Sequence, residues 1–288
     1  MSDLSELIFP PDMGAVGHLC MVYNCFLDDS KDQKQEQMII SAGFFAVPQV
    51  WKPFRQAWNA CLRACGIEYF KTSEWRMLNG QFARFKGVDY PLPTGRQAAN
   101  AIRDELRNIL ERFSKNINGI GIAIPVADYE EVCAMDEAHA IIFGDPYHHA
   151  LQSVIIQTLN QMKRFRGRNI AAFVHDDGND FPELWNVYKV CMNTNPQWKK
   201  YSGGFQALDD KLHPELQAAD MAANYTLQLG QQWLANGRSP VEKKEFEKSI
   251  RWIGIWEKPY ILTLLRQQYV HRKLPIPERL RNIAGCET

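Results

Sequence analysis

Apolar residues along the chain follow two rhythms, and their succession predicts a sheet covered by helices. The run Met21-Val22-Tyr23-Asn24-Cys25-Phe26-Leu27 reads as a buried strand that stops on Asp28-Asp29-Ser30, and residues 38–47 read as its hairpin partner. Pro48 suits the opening of a helix in which Val50, Phe54, Trp58, Cys61, Leu62 and Cys65 recur at helical spacing until Gly66 stops it. Ile67-Glu68-Tyr69-Phe70 predicts a short third strand. A short helix then follows, with Thr72 or Ser73 as cap and Glu74 in its first turn.

Residues 80–94 lack periodicity and read as a surface loop. Ala99, Ile102, Leu106, Ile109, Leu110 and Phe113 mark a long amphipathic helix, residues 117–124 alternate like a strand, and residues 128–135 suggest a short helix. Pro146 opens another helix, which closes on Lys163, Arg164, Arg166 and Arg168. The apolar run 170–175 reads as a strand buried on both faces that ends on Asp176. A helix over 181–193 and a strand over 204–208 lead to a helix whose Leu216, Asp220, Ala223 and Leu227 share one face. Beyond Pro240, Trp252, Trp256, Tyr260, Ile261, Leu264 and Leu265 fall at helical spacings, so residues 239–288 are expected to be a helical extension packed on a domain of residues 1–238.

With 288 residues, 45% of them hydrophobic, the chain can bury one large core. Its apolar runs all fall short of the roughly 18 to 20 residues that cross a bilayer, and the N-terminus lacks a basic region followed by an apolar core, so cytoplasmic residence without a membrane partner is expected. Seven cysteines without a CxxC pair point to reduced, mostly buried thiols. Because 33 basic residues balance 33 acidic ones, nucleic acid would have to be held by a local patch. Phe82, Arg84, Phe85 and Lys86 interleave aromatics with cations, a pattern that can stack bases and track phosphates but is also common in loops. The cations at 163–168 are a second candidate, although cations in a helix's last turn ordinarily complement its dipole.

Four acids stand out: Asp28 and Asp176 at strand ends, Glu74 just past a predicted strand, and Asp220 within an apolar helix stripe. Carboxylates brought together from several elements can hold Mg²⁺ or Mn²⁺, and paired divalent ions stabilise both oxygens of a phosphoryl displacement. The alternative is structural: Asp28 and Asp176 cap turns, Glu74 opens a helix, and Asp220 meets a buried Arg or Lys. His175 precedes Asp176 and by strand alternation points to the opposite face, which favours a structural role. His139 and His213 suit caps or proton transfer.

The strand ending FLDDS with its hairpin, YFKTSEW, the strand ending HDDGND, and LQAADMAANY together resemble the family called domain of unknown function 3800, over roughly residues 20 to 235. That family is similar to the ribonuclease H-like superfamily. The resemblance implies an α/β fold with a mixed five-stranded sheet, three antiparallel strands followed by two parallel ones, flanked by helices. It also implies that Asp28, Glu74, Asp176 and Asp220 are the catalytic, metal-binding acids of a nuclease using Mg²⁺ or Mn²⁺. Asp28-Asp29-Ser30-Lys31 departs from the family's Asp-Glu-Ser-Gly. The expectation is a metal-dependent phosphodiester hydrolase acting on nucleic acid. The alternative is a catalytically degenerate module of the same fold that binds nucleic acid or a protein without cleaving.

Overall fold

The computed structural model describes residues 20–31, 37–86, 93–135, 144–239, 250, 252–271, 273 and 275–281. Residues 87–92 of the segment read as a surface loop, and His139, lie outside the described residues. The hairpin of β1 (Cys20–Lys31) and β2 (Met38–Ala46) leads into helix α1 (Pro48–Ala64). The short helix α2 (Thr72–Met77) and a 3₁₀ turn over Gly80–Lys86 precede helix α3 (Thr94–Phe113). Strand β3 (Asn118–Pro125), helices α4 (Val126–Met135) and α5 (Pro146–Arg164), and strand β4 (Arg168–Asp176) follow. Then come helix α6 (Phe181–Thr194), strand β5 (Ser202–Leu208) and helix α7 (Pro214–Ala235). The chain returns as strand β6 (Trp252–Ile255), helix α8 (Lys258–His271) and the single turn α9 (Glu278–Arg281).

The strands form one mixed sheet in the order β5-β4-β1-β2-β3-β6. β1, β2 and β3 are antiparallel neighbours, β4 and β5 run parallel to β1, and β6 runs parallel to β3. The sheet therefore has six strands where five were expected. The pleat of β1 sends Phe26 toward the helices α1, α3 and α7, together with Ile40, Ala42 and Phe44 of β2. Cys25 and Leu27 face the other way, into a core shared with α4, α5, α6 and α8. Because both faces are covered, the run before Asp28 is apolar at nearly every position instead of alternating. On α1, Trp51, Phe54 and Trp58 are almost wholly buried, each removing enough apolar surface to contribute roughly 1.5 to 3 kcal/mol.

Three sequence expectations are corrected. Residues 67–70 form an extended connection and not a strand, because the Phe70 amide donates to the side chain of Gln217 in α7 at 3.1 Å instead of to a neighbouring strand. The third strand is β3. Residues 80–86 are a 3₁₀ turn and not a loose loop, with Phe82 and Phe85 in the core. In the extension, Trp252 lies on β6, where Ile120 to Ala123 of β3 pair with Trp252 to Ile255. Trp256 still follows the sheet, its amide bonded to the Ala123 carbonyl, so only α8 and α9 carry the helical pattern. The cysteines among the described residues are free thiols. No helix among those residues is long and apolar enough to cross a membrane.

α7 lies directly on the sheet. Its Ala218, Ala219, Ala222 and Ala223 are completely buried, and small side chains on both surfaces let the backbones approach. At Gly121 of β3 an added Cβ would stand 2.6 Å from Thr226 Oγ1, so a side chain there would push the helix outward. We expect Gly121→Ala to cost about 1 to 3 kcal/mol through overpacking. Adding Thr226→Ala should recover part of that loss, so that denaturant titrations of the two single variants and the double variant give non-additive values. Additive losses would mean that α7 is free to move away from β3.

Candidate metal centre

The parallel ladder between β1 and β4 ends with Phe26 opposite Val174. β1 nonetheless continues along β2, with Asp28 opposite Ala42 and Asp29 opposite Ser41. β4 continues along β5, with Asp176 opposite Leu208. The two strands thus part at the residues that carry acids, and a crevice opens beyond the carboxyl ends of parallel strands, where ligands of open α/β sheets bind. The strand does not stop at Asp28 as expected; it loses a neighbour there.

Asp28 on β1 lies near enough to Asp220 on α7 and Asp176 on β4 to feel the charge of both. Burial pushes the Asp28 carboxyl well above the usual carboxylate range, and Asp220, Asp29 and Asp176 add to the effect by repulsion. Asp220 is pushed up to about 6 by burial, against the pull of the Thr72 amide and of Lys71. Asp176 is raised by burial and by the neighbouring Asp210. Oδ2 of Asp220 accepts the Thr72 amide at 2.6 Å and so caps the N-terminus of α2, where neither Thr72 nor Ser73 acts as cap. Oδ1 of Asp28 accepts the Asp29 amide at 2.8 Å, and Oδ1 of Asp176 accepts the Asp210 amide at 3.2 Å.

Two charged groups of this cluster were not singled out in the sequence. Lys71 Nζ lies 2.7 Å from Asp210 Oδ2. Burial disfavours its ammonium form, but the Asp210 hydrogen bond and the nearby Asp176 and Asp220 outweigh it and raise the pKa. Both segments are held by Gln217, three residues before Asp220 on α7. Its carbonyl accepts from Trp58 Nε1 at 2.9 Å and from the Phe70 amide, and its Nε2 donates to the carbonyls of Asp210 at 3.0 Å and Lys211 at 3.2 Å. One buried amide therefore fixes the segments carrying Lys71, Thr72 and Asp210 beside Asp220. The adjacent Glu215 is fully buried and paired with Arg55 at 2.6 Å, anchoring the start of α7 to α1.

Both oxygens of Glu74 are engaged locally. Its Oε1 accepts the Tyr69 hydroxyl at 2.8 Å and its Oε2 the Gln81 amide at 2.7 Å, so the carboxylate organises the turn that follows α2. Gly80, at φ +49°, leaves room for it, since a Cβ there would lie 2.0 Å from Glu74 Oε2. Phe82 and Phe85 are buried, which withdraws them as base-stacking platforms. Arg84 donates to the Gly66 carbonyl at 3.2 Å and to that of Cys65, closing the end of α1. Of the four residues in that candidate nucleic-acid patch, Arg84 and Lys86 are exposed. The cations at 163–168 lie at the opposite end of β4 from Asp176, eight residues and roughly 26 Å away at the usual rise of a strand.

Asp28, Asp176 and Asp220 supply oxygen donors suited to a hard divalent cation, and a cation there would offset the burial and the repulsion that raise their pKa values. Comparison with known protein families, with curated proteins and with solved structures finds no match for this chain.

Two outcomes follow. For a carboxyl group whose pKa is raised in the folded protein, the stabilising contribution is complete below the unfolded value of about 3.9 and is lost as pH rises through the folded value. In chelator, the protein should therefore lose stability between about pH 4 and pH 6, and Asp220→Asn should flatten that slope in melting curves taken across the range. Gln217→Leu, close in shape, should cost on the order of 2 to 4 kcal/mol in denaturant titration, because the Trp58, Phe70, Asp210 and Lys211 groups lose their partner.

Proposed function

We propose that the protein is a metal-dependent phosphodiester hydrolase, a nuclease, built on a ribonuclease H-like sheet of the domain of unknown function 3800 type. The observation that carries this reading is the proximity of Asp28 to Asp176 and Asp220, carried on three separate elements, at the parting of β1 and β4. The order and directions of β1 to β5 support it, with β6 as an addition at the far edge. Glu74 is left out of the ligand set because both its oxygens are engaged in the turn.

Asp28, Asp176 and Asp220 would hold Mg²⁺ or Mn²⁺. When bound, such ions stabilise charge on the attacking and leaving oxygens of a phosphodiester. Asp210 steadies Lys71 at the rim of the same cluster, where its ammonium would meet a phosphate oxygen as a point charge. Gln217 keeps both segments in place, and the Thr72 amide fixes the orientation of Asp220. The reading as a non-cleaving module draws on one observation, the Lys71–Asp210 pair, which already supplies the cluster with a positive charge.

Incubation with single- and double-stranded DNA and RNA in Mn²⁺ and in Mg²⁺ tests the proposal. Cleavage should require the divalent ion and fall on the order of 100-fold or more in Asp28→Asn, as expected when a group that stabilises transition-state charge is removed. Binding of nucleic acid with no cleavage under any of these conditions would favour the non-cleaving module.

A further inference from the structure

A second set of donors meets at the same strand edge but on its other face. By the pleat, Asp29 and His175 share the side of Leu27, while Asp28 belongs to the side of Phe26. Asp28, Asp29 and His175 each bring one potential ligand atom to within 4.8 Å of the other two. Three donors at about 2.1 Å from one ion lie roughly 3.0 to 3.6 Å apart, so closing the set around a cation needs a contraction of up to about 1 to 2 Å.

His175 is what separates this set from an ordinary acidic cluster. The residue is 3% exposed, and its Nε2 is buried without a hydrogen-bond partner. An orphaned polar atom of that kind is costly unless something binds it. Its Nδ1 lies 3.5 Å from the Asp176 carbonyl, the outer limit of a hydrogen bond; a proton on Nδ1 would make that bond and leave the Nε2 lone pair for a ligand. Metal-ligating histidines are commonly oriented in this way. The Tyr147 hydroxyl at the start of α5 donates to Asp29 Oδ1 at 3.2 Å and steadies the second ligand. Asp28 and Asp29 are both partly exposed, so an ion has a way in. The other grouping of this kind, Asp145, His148 and Glu183, offers no such orphan: His148 Nε2 already lies 3.1 Å from Glu183.

We propose that Asp28, Asp29 and His175 form a mixed nitrogen and oxygen cation site that takes a first-row transition ion, Mn²⁺, Co²⁺ or Zn²⁺, in preference to Mg²⁺. Imidazole favours such ions, whereas Mg²⁺ prefers an all-oxygen shell. Asp28 is shared with the proposed hydrolytic centre, and only the catalytic use of this ion rests on that reading; the binding itself does not. His175, which alternation assigned a structural role, becomes a ligand on the face opposite Asp176.

The test uses the full chain without a histidine tag, loaded with Mn²⁺. Electron spin echo envelope modulation should show a directly coordinated ¹⁴N in the unaltered protein and in Asp220→Asn, and none in His175→Gln. Calorimetry should give Mn²⁺ at least a tenfold advantage over Mg²⁺, and His175→Gln should remove it. If His175→Gln does not fold, as circular dichroism would reveal, Asp29→Asn takes its place, retaining the ¹⁴N signal while weakening Mn²⁺ at least tenfold. Absence of ¹⁴N coupling in the unaltered protein, absence of Mn²⁺ binding, or an unchanged affinity in the variant that folds overturns the site. Divalent-dependent cleavage without ¹⁴N coupling would leave the hydrolase reading standing alone, and ¹⁴N coupling without cleavage would leave the cation site standing alone.

Discussion

A carboxylate taken out of water must be met by a proton, a donor or a cation, and four of them gather where β1 and β4 part. Asp28, Asp176, Asp210 and Asp220 repel one another in surroundings that screen charge poorly. Backbone amides of Asp29, Thr72 and Asp210 and the Lys71 ammonium answer only part of that charge. The raised pKa values of Asp28, Asp176 and Asp220 record burial first and, beyond it, the repulsion left unanswered. A local destabilisation of this size is tolerable because the aromatic packing of α1 and the two-sided cover of the sheet lie elsewhere. The same residual charge makes the crevice receptive to a cation.

The geometry follows from the neighbours of β1. Along most of its length the strand is enclosed by β2 and β4, and nearly every side chain must be apolar. Past Phe26 only β2 remains, so polar side chains become acceptable while the backbone stays rigid through its pairing with β2. α7 completes the arrangement by pressing a run of alanines against the sheet, bringing Asp220 to a depth that a helix with larger side chains would not reach. Acids carried on a paired strand and a well-packed helix are more exactly placed than acids on loops.

Much of this arrangement was legible in the sequence. Asp28 and Asp176 announce themselves by ending apolar runs, and Asp220 by interrupting a helical stripe, because both signals are local. Lys71, Asp210 and Gln217 carry no such mark: the Lys71–Asp210 contact joins residues 139 apart and the Gln217–Phe70 contact residues 147 apart. Glu74 is harder to read, because an acid in a helix's first turn looks the same whether it faces a site or folds back on its own turn. Phe82 and Phe85 misled because a 3₁₀ turn has neither the helical nor the strand period, so buried aromatics within it resemble those of a surface loop. Residues 67–70 and 252–255 show two sides of one difficulty. A short apolar segment becomes a strand only if a partner edge is available, and β3 offered its edge to the second and not to the first.

The late arrival of β6 bears on how the chain behaves while it is being made. β3 carries Ile120, Ile122 and Ile124, and one of its edges is paired only by Trp252–Ile255. Until synthesis passes those residues, an otherwise complete apolar sheet presents an open row of amides and carbonyls, the kind of edge that recruits strands from other molecules. Nascent chains halted before that point, or fragments cut ahead of it, would carry the exposed edge. Their self-association would reflect the missing strand and not any surface of the finished fold.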